Sequence, residues 1–161
     1  MHASATRSPT FARAVRRVPA RGERLDLHLS RDALVHWGTE IGAGLVPGDV
    51  VTLRGDLGSG KTTLAQALCA GYGVAGEVTS PTYALVHEYN APRSIVRHLD
   101  LYRLTSPDDL TNLGFDEMVG DGLLLIEWPE RAGARVPAPS VAITLSHVAG
   151  EPDARRLSVE R

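Results

Sequence analysis

Apolar and polar positions change period several times along this chain, and each change marks an element. Arg24-Leu25-Asp26-Leu27-His28-Leu29 alternates with period two, which predicts a strand with one buried face. Behind it Leu34, Trp37, Ile41 and Leu45 recur at helical spacing, with Ser30 placed as N-cap and Asp32 in the first turn, where the helix dipole favours an acid. That helix is expected to end near Gly44, before Pro47-Gly48 turns the chain. Asp49 to Arg54 reads as a short strand, and Lys61 to Tyr72 carries Leu64, Ala67, Leu68 and Gly71 on a helical face, stopped by Gly71-Tyr72-Gly73.

The second half alternates differently. Tyr83 to Tyr89 and Ile95 to Leu101 both read as strands, and the short turn at Asn90-Ala91-Pro92-Arg93 predicts an antiparallel hairpin. Ser106-Pro107 has the form of a helix start, with Ser106 as N-cap. Gly122 to Glu127 is apolar without alternation, the pattern of a central strand buried on both faces. Trp128 to Ala132 leaves it as a short turn or helix, and Val141–Leu145 with Arg156–Val159 form a closing pair of strands. The expected fold class is α/β: a mixed sheet flanked by helices, with the antiparallel hairpin inside it.

Composition changes this picture at the amino terminus. Residues 1–24 mix Arg, Ala, Ser, Thr and Pro without an apolar period, so they read as a disordered basic extension ahead of a single domain at 25–161. A transit peptide or an RNA-contacting arm has a similar composition, whereas a secretory signal would need an apolar stretch that is missing. The extension holds six Arg against Glu23, a charge of +5, which leaves −7 for the rest of a chain that totals −2. An acidic body is a poor independent binder of nucleic acid, so contact with RNA is expected through a partner or through the tail. The longest aliphatic run is Leu123-Leu124-Leu125-Ile126, far below the ~20 residues of a membrane-spanning helix. Cys69 is the single cysteine, expected as a buried small hydrophobe in a reducing cytoplasm.

The chemistry lies between the second strand and the second helix. Gly55-Asp56-Leu57-Gly58-Ser59-Gly60-Lys61-Thr62 matches the phosphate-binding loop pattern G-x-x-x-x-G-K-[ST], in the strand, loop, helix order it requires. The chain has sixteen Arg and one Lys, and that Lys is Lys61, where a slim ammonium is needed rather than a planar guanidinium. Backbone N–H groups from Leu57 to Thr62 would form an anion nest at the positive end of the helix, and Thr62 would offer a hydroxyl to Mg²⁺. Trp37 belongs to the core by its spacing, although an aromatic so near a nucleotide site could also flank adenine.

Such a loop needs a carboxylate at the end of an apolar strand to hold Mg²⁺ or its waters. Glu127 ends the more apolar strand; Asp100 ends a run in which His98, Asp100 and Tyr102 share a face by period two. His98 has no partners at transition-metal spacing and is read as structural or as supporting another residue. Ser80-Pro81-Thr82 lies where some phosphate-loop enzymes carry a switch that senses the γ-phosphate, though a simple turn has the same pattern.

Four segments together carry a resemblance: Gly55 to Thr63, Ser80-Pro81-Thr82-Tyr83, His98-Leu99-Asp100-Leu101-Tyr102-Arg103, and Ile126-Glu127-Trp128-Pro129-Glu130. In order and spacing the chain from about Leu25 onward closely resembles the TsaE family, also called YjeE. The resemblance implies a P-loop ATPase needed for threonylcarbamoyladenosine at tRNA position 37, weak alone and dependent on TsaD and TsaB, with tRNA met indirectly through that complex. It implies ATP and Mg²⁺ as cofactors and a cytoplasmic location. Carried over by motif, Leu57, Gly58, Ser59, Gly60, Lys61, Thr62 and Thr63 bind the nucleotide, Thr62 and Glu127 the metal. Lys61, Asp100, Glu127 and Thr82 form the catalytic set. Trp128 belongs to the same signature, in positioning or in coupling to a partner. The reaction implied is in-line attack of water on ATP, with the choice of base between Asp100 and Glu127 left open. A small-molecule kinase, or a nucleotide-gated binding module with little turnover, would use the same loop.

Overall fold

The computed structural model describes residues 18–161; of the expected basic extension, residues 1–17 lie outside the described residues. The described end of that segment runs beside the carboxyl terminus, where Gly22 N–H donates to the Arg161 carbonyl at 2.6 Å.

Strand β1 (Arg24–Ser30) leads into helix α1 (Arg31–Gly44), and the Ser30 hydroxyl accepts the Ala33 N–H at 3.2 Å, the cap its position predicts. Strand β2 (Val50–Arg54) feeds the glycine loop, and helix α2 (Lys61–Tyr72) ends at Gly73, whose φ of 111° needs no Cβ to be accommodated. Strands β3 (Val86–Asn90) and β4 (Ile95–Asp100) pair antiparallel as the expected hairpin. Short helices α3 (Asp108–Asn112) and α4 (Phe115–Met118) precede β5 (Leu123–Glu127). Two single 3₁₀ turns (Pro129–Arg131 and Gly133–Arg135) follow, then β6 (Val141–Val148) and β7 (Glu151–Glu160).

Among the described residues the strands form one sheet, in the order β1-β7-β6-β2-β5-β4-β3. The four central strands, β6, β2, β5 and β4, run parallel, and the strands at both ends are antiparallel to their neighbours. The sheet is therefore mixed, and β5 is buried along its whole length, as its unbroken apolar run predicts. Successive residues of β5 serve opposite faces. Leu123 and Leu125 join the core under α1 and α2, while Leu124 and Ile126 join a second core with Phe115 and Leu110 from the short helices. Trp37, 1% exposed, lies in the first core and does not line the cleft beside the glycine loop. Cys69 is buried in the same core, and burial pushes its thiol up to about 12.

Two readings are corrected. The strand expected from Tyr83 begins only at Val86, because Leu85 turns left-handed (φ 64°) and its N–H closes a turn onto the Pro81 carbonyl at 2.7 Å. The alternating residues Tyr83 to Leu85 thus belong to a turn, with Tyr83 86% exposed. Ser106 does not cap α3 with its side chain. The Ser106 backbone carbonyl takes the Asp109 N–H at 3.1 Å instead, and the Asp109 carboxylate reaches back to the Thr105 hydroxyl at 2.7 Å and the N–H groups of Thr105 and Ser106, both at 3.1 Å. The Thr105 hydroxyl, then those N–H groups, hold the Asp109 carboxyl below its ordinary range.

Helices α1 and α2 approach closely because three positions on the contact carry no side chain. A Cβ on Gly42 would overlap the Leu68 carbonyl, one on Gly71 the Thr39 carbonyl, and one on Gly38 would sit 2.8 Å from the Ala67 Cβ. Alanine at Gly42 gains up to ~1 kcal/mol of helix propensity. Forcing two backbones apart costs about 3 kcal/mol, the upper part of the overpacking range. Gly42→Ala is therefore expected to lower stability by about 2 kcal/mol in chemical denaturation, whereas Gly44→Ala, with open space around it, should not lower it.

Candidate functional site

The loop between β2 and α2 begins at Gly55, where φ is 146° and a Cβ would stand 2.5 Å from both the Leu145 carbonyl and the Ser59 hydroxyl. Only glycine fits this position. Gly60, at φ 102°, then caps α2 without a side-chain hydrogen bond, so no capping side chain occupies the first free N–H groups of the helix.

Lys61 is 5% exposed, and its ammonium donates to the carbonyls of Gly55 (2.6 Å) and Asp56 (2.8 Å) and to the Ser59 hydroxyl (3.4 Å). The same ammonium lies 4.4 Å from the centre of the Trp128 ring. Burial lowers the Lys61 pKa, opposed by the charges of Glu127, Asp100, Glu130 and Asp56 in that order. Trp128 reaches this place through a left-handed backbone (φ 56°) directly after β5, a conformation uncommon outside glycine.

Sheet register brings the carboxylates together. Leu53 pairs with Glu127, and Glu127 pairs with Asp100, so the ends of β2, β5 and β4 lie side by side. The Thr62 hydroxyl donates to both oxygens of Glu127, at 3.0 and 3.2 Å. On its other side Glu127 accepts from His98 Nε2 at 2.8 Å, with His98 fully buried and Glu127 2% exposed. A carboxylate only accepts, so His98 carries a proton on Nε2, and its buried Nδ1 has no hydrogen-bond partner. This is the supporting use expected of His98.

Asp100 serves a different neighbour. One oxygen accepts the Thr82 hydroxyl at 2.9 Å and the other the Tyr102 N–H at 3.0 Å; Thr82 in turn shares a 2.7 Å hydrogen bond with the Ser80 hydroxyl. Ser80-Pro81-Thr82 is thus tied to the end of β4 across 18 residues of sequence.

These groups face one cleft of about 500 Å³. Leu57, Gly58, Gly60, Lys61, Thr62, Thr63, Thr82, Asp100 and Glu127 all line it, and Trp128 closes one side. Ser59 does not line it, being buried beneath the loop. Among the contributors with no sequence signal tied to the loop are Arg31 at the start of α1 and Arg155 on β7. Their side chains arrive only through tertiary packing.

Among the described residues no group of three or more His, Cys, Asp or Glu side chains is arranged to hold a metal. A Thr hydroxyl against a carboxylate is nonetheless a hard oxygen pair. It suits Mg²⁺, an ion that takes few protein ligands and completes its shell with water and phosphate oxygens.

Comparison with known proteins places the chain in a family. The sequence profile described as "Threonylcarbamoyl adenosine biosynthesis protein TsaE" matches residues 29–157. A Treponema pallidum protein named tRNA threonylcarbamoyladenosine biosynthesis protein TsaE is 42% identical over 110 residues, 68% of this chain and 81% of that protein. The Haemophilus influenzae protein of the same name is 41% identical over 99 residues, 61% of this chain and 63% of that protein. The match therefore spans less than two thirds of the Haemophilus protein's length. The crystal structure of Bacillus subtilis YdiB superposes with a TM-score of 0.67 at 26% identity, covering 85% of this chain and 84% of that one. Its P-loop-type fold and the cleft described above point to nucleotide binding. With the profile spanning β1 to β7 and the relatives carrying one name, the chain belongs to the TsaE family of threonylcarbamoyl adenosine biosynthesis proteins.

Proposed function

We propose that this protein hydrolyses ATP to ADP and phosphate, and that hydrolysis resets a TsaB–TsaD complex between rounds of threonylcarbamoyladenosine formation at tRNA position 37. The observation that carries the reading is the convergence of Lys61, Thr62, Glu127, Asp100 and Thr82 on one cleft at the head of α2. Loop amides and Lys61 would bind the phosphates and spread the charge that develops on them. Thr62 and Glu127 would hold Mg²⁺, which supplies charge neutralisation of the phosphate oxygens when bound. His98 keeps the Glu127 carboxylate in place from behind. With Glu127 turned to Thr62 and the metal, Asp100, one strand over and bonded to Thr82 and the Tyr102 N–H, would orient the attacking water. Trp128 and the Lys61 ammonium against it would shield the phosphates from bulk water.

The acidic body supports a role through partners rather than direct tRNA binding. Phosphate release is expected to be slow for the protein alone and to rise at least about tenfold when TsaB, TsaD and tRNA are added, a difference of ~1.4 kcal/mol in the barrier. Unchanged turnover on adding them would remove the coupling. A phosphorylated metabolite in place of free phosphate would point to a kinase instead. Partner binding that depends on ATP, and equally on a non-hydrolysable analogue, would point to a nucleotide-gated module.

A further inference from the structure

We infer that Arg155, far from the loop in sequence, is a positioning residue that holds the phosphate-binding loop in its anion-accepting shape. Its guanidinium spends donors on four backbone carbonyls. Nε donates to Ser59 at 3.0 Å and Nη2 to Gly58 at 3.2 Å, while Nη1 donates to Pro152 and Ala154, both at 2.7 Å. One planar cation thus ties the β6–β7 hairpin to the middle of the loop.

The hairpin is shaped for this. Pairing of β6 with β7 runs regularly to His147↔Arg155 and then jumps to Val148↔Glu151, so Pro152, Asp153 and Ala154 form a bulge on β7. Bulges re-aim side chains beside functional sites. Beyond the bulge Arg155 shares a face with Leu157 and Val159 by period two, the face covered by α1 and α2 and adjoining the loop.

The reason a clamp matters lies in the division of the loop's carbonyls. Gly55 and Asp56 are held by Lys61, Gly58 and Ser59 by Arg155. A Lys61 that turns to a phosphate must release acceptors it now holds, and Arg155 then remains as the side-chain grip on the loop. Peptide units are planar and trans, so fixing the carbonyls of Gly58 and Ser59 also fixes the opposite-facing N–H groups of Ser59, which donates to the Asp56 carbonyl at 3.1 Å, and of Gly60. A preorganised nest binds anions without first being ordered. Lysine cannot replace this clamp, because a point ammonium lacks the fork that spans loop and hairpin.

The inference rests on the reading that the loop binds a nucleotide, so the test has one arm that does not. In the nucleotide-free protein, backbone order parameters at Gly58, Ser59 and Gly60 are expected to fall from about 0.85 to below about 0.6 in Arg155→Met, with β2 and α2 unchanged. In the second arm, ADP affinity without metal should weaken about tenfold or more in both Arg155→Met and Arg155→Lys, while melting temperature changes little. Unchanged loop order parameters would overturn the clamp. So would a loss of stability with ADP affinity kept, or full function in Arg155→Lys, which would make the charge alone sufficient. A wild-type protein that binds no ADP would defeat the nucleotide reading, and the order parameters would still decide the clamp.

Discussion

Lys61→Ala is expected to reduce phosphate release by about 10²–10³-fold, because it removes a cation aimed at charge that develops on the phosphates. The protein should stay folded. The ammonium is buried at a cost in solvation, which is what lowers its pKa, so the folded state loses little by giving it up. Of the two acceptors it leaves, Asp56 is an exposed residue and Gly55 a half-buried one. Steady-state phosphate release with a thermal melt separates the outcomes. A normal melting temperature with near-normal turnover would mean that the loop does not serve ATP hydrolysis. Lys61→Arg should not rescue, since the bulkier fork meets the Trp128 ring already packed against the ammonium.

Glu127→Gln should cost a similar 10²–10³-fold in metal-dependent turnover while the fold is kept. The amide can still accept from Thr62 and His98 through its oxygen, but it brings no charge to an ion. Glu127→Ala separates chemistry from structure. It leaves His98 Nε2 buried without an acceptor beside an Nδ1 that already lacks a partner, so a further destabilisation of about 1–3 kcal/mol is expected. Chemical denaturation of both variants, with phosphate release titrated against Mg²⁺, checks the pair. Equal stability of the two would show that His98 finds another partner. Unaltered Mg²⁺ dependence in the glutamine variant would move the metal away from Glu127.

The elements were legible where local periodicity and burial agree. The Ser30 cap, the span of α2 and the doubly buried β5 follow from a few neighbouring residues each, and the structure has them as read. The misreadings fall where a local pattern had two meanings. Tyr83 to Leu85 alternates like a strand but lies in a turn closed by the Pro81 carbonyl, and Ser106 meets the first turn of α3 with its backbone carbonyl rather than its hydroxyl. Periodicity is blind to a left-handed residue such as Leu85, since φ leaves no mark on which residues are apolar.

Site residues were legible as types and spacings, but their relations were not. Glu127 and Asp100 both read as strand-end carboxylates, Glu127 on the more apolar strand and, by resemblance, with Thr62 at the metal. Only the parallel register of β2, β5 and β4 places one on Thr62 and the other on Thr82. The glycines that let α1 and α2 touch were unread for the same reason: their need is set by a backbone on the other helix.

The sequence by itself determined the strand, loop, helix unit around Lys61, the hairpin and the family, because each is written in residues close together or in motifs of fixed order. Tertiary structure alone decided that Asp100 meets Thr82, that His98 backs Glu127, and that Arg155 reaches the loop across 96 residues. Those are contacts between elements, and their geometry comes from how strands register and twist past one another, which no local run of side chains encodes.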